Sequence, residues 1–137
     1  MALTRKEARE KCMVIIYQTL LYNKNNIEYD LDTLINNETE VTDEYINNIS
    51  NGVFSNLDSL TEIANKYLGS WPLHRLGVTD QAIILIGVYE LLHTDTPKIV
   101  CINEAIELSH KYSDEQVSKI VNGVLDNVYH KEVENAE

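Results

Sequence analysis

The sequence predicts an all-α protein, a compact bundle of six to seven helices in two packed helical halves. Three observations carry that prediction. Apolar residues recur at i, i+3 and i+4 through nearly every segment. Only five Gly and two Pro interrupt 137 residues, few for a β-rich fold with many tight turns. Helix-start signatures recur as well: Thr4-x-x-Glu7 and Ser113-x-x-Gln116 read as capping boxes, and Thr96-Pro97 as an N-cap followed by a first-turn proline. With 44% hydrophobic and 24% charged residues, the chain is expected to form one domain over residues 1–137. Its N-terminal half spans about 1–69 and its C-terminal half about 73–130.

The first helix opens at the Thr4 capping box and runs to about Tyr22, with Ala8, Cys12, Ile15, Ile16, Thr19 and Leu20 on its inner face. The polar run "NKNN" ends it, and a short helix around Tyr29 to Ile35 rests on Leu31, Leu34 and Ile35. From Thr42 or Asp43, the stripe Tyr45, Ile46, Ile49, Val53, Leu57, Leu60, Ile63, Ala64 and Tyr67 reads as one long helix to about Leu68. A kink is expected at Gly52, because a mid-helix Gly costs about 1 kcal/mol relative to Ala. "GSWPLHRLG", from Gly69 to Gly77, marks the boundary between the halves, with Trp71 expected to plug the seam.

Ala82 to Leu92 is apolar almost all round, the mark of a helix buried on most sides. The helix after Pro97 presents Cys101, Ile102, Ala105, Ile106 and Leu108 inward, with Glu107 and Lys111 as an outward i, i+4 pair. The last helix carries the stripe Val117, Ile120, Val121, Val124, Leu125 and Val128; the tail "KEVENAE" reads as frayed and solvated.

Charge is distributed unevenly. The chain holds 11 basic and 22 acidic residues, a formal charge of −11. Met1 to Lys11 alone carries four of the basic residues, Arg5, Lys6, Arg9 and Lys11, against two acids, leaving seven basic and twenty acidic residues in the other 126. An acidic body argues against a generic nucleic-acid binder and suits solubility or a basic partner. No apolar run approaches the roughly 18–20 residues of a bilayer span, and the N-terminus lacks a secretory apolar region, so a cytoplasmic protein with no membrane association is expected. Cys12 and Cys101 read as buried free thiols.

Catalytic signatures are thin. The sequence has no glycine-rich phosphate loop, no Cys-x-x-Cys pair and no nucleophile elbow, so neither an enzyme nor a cofactor is expected. Glu90-x-x-His93 with Glu107-x-x-His110 resembles part of a di-metal ligand set. In antiparallel helices, however, the two carboxylates would be offset by about 9 Å, too far to bridge metals about 3.5–4 Å apart. No metal is expected.

On a helix, Arg5 and Arg9 lie within about 40° of each other, on the side of Cys12 and Ile16, while Glu7 and Glu10 point away. Two readings fit: an anion-binding surface, or basic stems that snorkel over a neighbouring helix and pair with the acidic body. Tyr17, about 80° from Arg9, offers either a stacking face or core packing.

"INEAIEL" (Ile102–Leu108) and "VNGVLD" (Val121–Asp126), with "AREK…IYQ" in the first helix, Trp-x-Leu-x-Arg-Leu at Trp71–Leu76, and "AIILIGVYELL" followed by Pro97, resemble the NusB family of bacterial transcription antitermination factors. The similarity covers nearly the whole chain. The two central motifs also occur in NusB-like domains attached to RNA cytosine methyltransferases; no such domain follows in this sequence, so the free-standing factor is expected. The resemblance implies a non-enzymatic RNA-binding protein, a monomer or homodimer. It would pair with the small-subunit ribosomal protein NusE, bind boxA RNA of nascent ribosomal RNA transcripts, and join an elongation complex with other Nus factors. It implies RNA contacts at Arg5, Lys6, Arg9 and Tyr17 in the first helix and at Lys119 and Asn122 in the last, with Asp80 facing the ribosomal protein.

Three positions depart from the family pattern. Gln81 and Leu85 replace arginines, the second of which would support the RNA face, and Ile120 replaces a Phe before Val-Asn-Gly. A stacked base contributes about 1–3 kcal/mol, so weaker intrinsic RNA affinity is expected. A competing class is a helical protein-interaction module of the same fold that has lost RNA binding. Asn122, Gly123 and Asp126 also fit plain helix packing and polar contacts.

Overall fold

The structure, a computed structural model, describes residues 2–134. Seven α-helices follow in order: α1 (Arg5–Lys24), α2 (Leu31–Glu38), α3 (Glu44–Ser55), α4 (Leu57–Leu68), α5 (Val78–His93), α6 (Lys98–Tyr112) and α7 (Glu115–Val128). A 3-10 turn at Leu73–Arg75 precedes α5, α7 continues as a π-helical segment over Tyr129–Glu134, and no strand occurs among the described residues. The architecture is all-α.

The centre is α5, which packs against α1, α3, α4, α6 and α7. Its apolar run explains this position: Ala82 to Val88 and Leu91 are all buried, leaving almost no polar face to turn toward water. Around it, α1 buries Ala8, Cys12, Ile15, Ile16 and Thr19, and α7 buries Val121, Val124, Leu125 and Val128, as their periodicity predicts. The Thr4 capping box is present: the Thr4 hydroxyl accepts from the Glu7 amide at 3.0 Å, and the Glu7 carboxylate accepts from the Thr4 amide at 2.9 Å. It satisfies two amide groups that the first helical turn otherwise leaves without partners.

Residues 43–68 form two helices rather than one. The joint is Asn56, whose amide and side-chain Nδ2 both donate to the Gly52 carbonyl, at 3.1 and 2.8 Å. A side chain that takes a backbone carbonyl offers the chain an alternative to continuing the helix. Both helices keep the same inner stripe, Ile46, Ile49 and Val53 and then Leu60 and Ala64, so the periodicity runs through the break unmarked. Gly52 has a different role from the expected kink. A Cβ there would lie 2.1 Å from a ring carbon of Tyr89, so glycine is what lets α3 close onto the α5 tyrosine.

Trp71 does not plug the seam; it is 58% exposed, with Arg75 over its ring at 5.8 Å. Leu73 fills the seam instead, anchored by its amide to Asn65 Oδ1 at 2.6 Å. Two start signals are displaced by one residue. Asp114, not Ser113, caps α7 by accepting from the Val117 amide, and Pro97 rather than Thr96 occupies the cap of α6. The start of the tail is tied down: Glu132 accepts from Lys66 Nζ at 2.9 Å and from the Tyr67 hydroxyl at 2.5 Å, while residues 135–137 of the expected frayed tail lie outside the described residues.

Gly52→Ala should lower stability by about 1–3 kcal/mol in urea unfolding, because overpacking against the Tyr89 ring outweighs the better helix propensity of Ala. An unchanged midpoint would mean the ring yields without strain.

Candidate functional site

The basic N-terminus of α1 folds over a buried ionic centre. Arg9 is 3% exposed. Its Nε and Nη2 donate to the two oxygens of Glu90 on α5 at 2.9 and 3.0 Å, a bidentate fork, and Nη1 donates to Glu104 of α6 at 3.3 Å. The Tyr45 hydroxyl, from α3, also donates to Glu90, at 2.7 Å. Burial pulls the Arg9 guanidinium toward its neutral form, but the Glu90 bonds and charge more than offset this and hold it above its ordinary value. Burial, reinforced by the Glu90 charge, raises the Tyr45 hydroxyl far above its usual range, so it stays a donor.

The Tyr45 ring joins this buried centre to the surface. The Arg9 guanidinium lies 5.3 Å from its centroid and that of exposed Arg5 4.3 Å. Arg5 sits in a groove lined by Glu44, Tyr45, Asn48, Thr94, Asp95 and Thr96. Among the described residues it forms no ion pair within 4.0 Å. Arg5 and Arg9 therefore do share one side of α1, but for different purposes. The expectation that Arg9 contacts RNA is corrected, since its donors are taken by carboxylates and it has no surface to offer.

Lys6 is exposed, yet its Nζ is held by Glu107 at 2.6 Å and lies 3.8 Å from Glu104. Lys111 pairs with Glu10 of α1 at 2.7 Å, so the expected Glu107–Lys111 pair within α6 is replaced by two links between helices. Tyr112 donates to the same Glu10 oxygen, and Lys111 and Tyr112 together hold the Glu10 carboxyl below the usual range.

Tyr17 is 36% exposed, which removes the core-packing reading for that ring. Lys119 and Asn122 are exposed on the outer face of α7, as is Gly123, beside which a Cβ would meet nothing within 4 Å; helix packing does not account for it. Asp126 has a polar role, 3.5 Å from both Lys98 and His130. Asp80 lies half-buried in the first turn of α5, and burial raises its carboxyl above the usual range.

The departures from the family pattern look different in three dimensions. Leu85 is fully buried, an apolar core residue at the position where the family pattern has an arginine. Gln81 donates to the Leu76 carbonyl at 2.9 Å, and Ile120 packs partly buried against the core. The suspected metal ligands are likewise engaged: Glu90 serves Arg9 and Tyr45, His93 stacks on Tyr89 with centroids 5.0 Å apart, and Glu107 serves Lys6. Cys12 and Cys101 are free and buried, and burial pushes both thiols up to about 12, so neither is a nucleophile at neutral pH.

A family model described as the NusB family matches residues 6–130. The chain belongs to the NusB family. It is 39% identical to the transcription antitermination protein NusB of Clostridium botulinum (strain Alaska E43 / Type E3), over 94% of this chain and 100% of that protein. The structure of T. maritima NusB superposes with a TM-score of 0.84 at 28% identity, covering 96% of this chain and 94% of the other. A crystal structure of antitermination factors NusB and NusE in complex with dsRNA has the same fold, with a TM-score of 0.77 at 24% identity over 92% and 96% of the two chains. NusB membership places the protein among transcription antitermination factors rather than enzymes. Among the described residues, no helix is long and apolar enough to cross a membrane.

Arg9→Met should cost about 3–5 kcal/mol in urea unfolding, because it strands the Glu90 charge in the core; Arg5→Ala, at the surface, should stay within about 1 kcal/mol. Similar losses for both would contradict the division between a buried and a surface arginine.

A carboxyl raised by folding stabilises the fold while protonated, and that contribution fades as pH rises through the raised value. Asp80→Asn should therefore gain melting temperature relative to wild type at neutral pH, with the gain shrinking toward about pH 3, where both side chains are uncharged. A gain independent of pH in calorimetry would rule out this cause.

Proposed function

We propose that this NusB-family protein acts in antitermination by binding boxA-type RNA of nascent ribosomal RNA transcripts together with the ribosomal protein NusE, in a cytoplasmic elongation complex with other Nus factors. The observation that carries the RNA reading is Arg5. It is an exposed guanidinium laid on the Tyr45 ring at 4.3 Å and free of any carboxylate partner among the described residues. A planar cation already resting on a ring has lost part of its side-chain freedom before a phosphate or base arrives. On this reading Arg9 is a positioning residue: through Glu90 it fixes Tyr45, and through Tyr45 it orients Arg5. Exposed Tyr17, Lys119 and Asn122 supply a stacking ring and polar groups on α1 and α7.

The partner follows from charge. A formal charge of −11 repels a polyanion at long range and attracts a basic ribosomal protein. The protein alone should then bind RNA weakly, and the pair more tightly. The second reading, an interaction module without RNA binding, draws on the same surface: Lys6, Arg9 and Lys111 are all neutralised internally.

Fluorescence-anisotropy titration of a boxA-containing RNA, with and without NusE and at two salt concentrations, separates the two. The expected result is tighter binding with NusE, weakened by Arg5→Ala with a salt slope shallower by about one. Equally poor binding by wild type and Arg5→Ala, even with NusE present, would establish the interaction module.

A further inference from the structure

The groove between α1 and α6 has a volume of about 460 Å³ and is lined by Lys6, Arg9, Glu10, Glu104, Glu107, Leu108, His110 and Lys111. Its charges are arranged crosswise. Each helix supplies one lysine, and an acid of the other helix takes it: Lys6 of α1 to Glu107 of α6 at 2.6 Å, and Lys111 of α6 to Glu10 of α1 at 2.7 Å. The contrast with the neighbouring buried pair is sharp. The Arg9 and Glu90 side chains are 4% and 2% exposed, whereas those of Lys6 and Lys111 are both 61% exposed.

We propose that Lys6 and Lys111 form a two-cation site for the RNA phosphodiester backbone, closed in the RNA-free protein by Glu107 and Glu10 acting as internal counter-ions. The proposal rests on the RNA-binding reading above and adds a wall of the path, Lys111 on α6, that neither motif nor spacing marked. Three observations support it. First, both ammonium groups reach water, where an ammonium–carboxylate contact is weak and screened, so a phosphate can exchange for the carboxylate. Exchange is easier at exposed Glu107 than at half-buried Glu10, which Tyr112 also holds; the buried Arg9 pair cannot exchange that way. Second, Lys6 follows Arg5 in the first turn of α1, so the groove of Lys6 and the separate groove of the uncommitted guanidinium open from the same helical turn. Third, Lys6 and Lys111 hold Glu107 and Glu10 below the usual carboxylate range, so both counter-ions are charged at neutral pH and leave only by exchange with another anion. Lysine suits the role, since a compact ammonium on a flexible stem can swing between two acceptors.

The site makes an unusual prediction, that removing a carboxylate tightens binding. In anisotropy titrations of boxA RNA with NusE saturating, Glu107→Gln should strengthen binding about two- to fivefold at low salt, the range expected for releasing one exposed ion pair. Glu28→Gln makes the same change in net charge on the exposed α1–α2 connection, away from the groove, and should leave affinity nearly unchanged. Lys111→Gln should weaken binding and reduce the salt slope by about one. Thermal melts of the three exposed variants check that each is folded. If Glu107→Gln matches Glu28→Gln, or Lys111→Gln matches wild type, while Arg5→Ala still weakens binding, the groove site is wrong and the RNA reading stands. If wild type with NusE binds no RNA at all, both fall together.

Discussion

Three helices meet at one carboxylate, and a fourth joins through the arginine that it holds. Glu90 of α5 receives the Arg9 fork from α1 and the Tyr45 hydroxyl from α3, while Arg9 extends its remaining nitrogen to Glu104 of α6. Removing two charges from water is expensive, and apolar residues of similar volume often pack as well, so such a pair is weak evidence for stability. Its value here is geometric. A bidentate fork accepts only one orientation of guanidinium against carboxylate, so the pair sets the rotation and register of α1 on α5 more sharply than interchangeable aliphatic contacts could. The surface inherits that order: because Glu90 fixes the Tyr45 hydroxyl, the ring presents a fixed face to Arg5.

The aliphatic framework was legible from periodicity because burial itself creates the pattern. The inner faces of α1, α5 and α7 match the apolar stripes nearly residue by residue. What escaped were features set by one side chain or by three-dimensional neighbours. The α3–α4 joint depends on Asn56 reaching back to Gly52, a local bond that leaves the stripe intact on both sides. Trp71 looked like a core residue by size alone, whereas Leu73, two positions on, has the Asn65 anchor that turns it inward. The caps of α6 and α7 shifted by one residue because Pro97 and Asp114 compete with adjacent Thr96 and Ser113 for the same role.

The charged residues were legible as a set but not individually. Arg5, Lys6 and Arg9 form a recognisable basic start, yet one is open, one is held by an exposed acid and one is buried. A signal for the buried one was present. Glu90 lies in the almost wholly apolar run from Ala82 to Leu92, and a carboxylate buried there requires a cation. Arg9 shares a helix side with Cys12 and Ile16, both in the core, and lies one turn deeper into α1 than Arg5 on that side, so it is the basic residue of that cluster placed to reach it. Pairing a misplaced acid with a misplaced base was the available inference; reading each against its own helix alone hid it. The Leu85 position shows the converse, since a family arginine pattern says nothing about whether this backbone gives that residue a surface.

These placements recast the charge asymmetry. A basic segment on an acidic protein suggests two poles, but much of that positive charge is already neutralised across the α1–α6 groove and in the core. On the proposed reading, RNA then meets counter-ion exchange rather than an open basic patch: phosphates replace glutamates at Lys6 and Lys111, while Arg9 stays fixed. Exchange is close to neutral in Coulomb energy, since one anion replaces another beside the same cation. Net affinity must therefore come from the few cations without an internal partner, Arg5 foremost, and from positive charge that the protein lacks. A basic partner supplies that charge and can also draw on the carboxylates released by the exchange. Dependence on a partner thus follows from how the chain's own acids are deployed, not merely from their number.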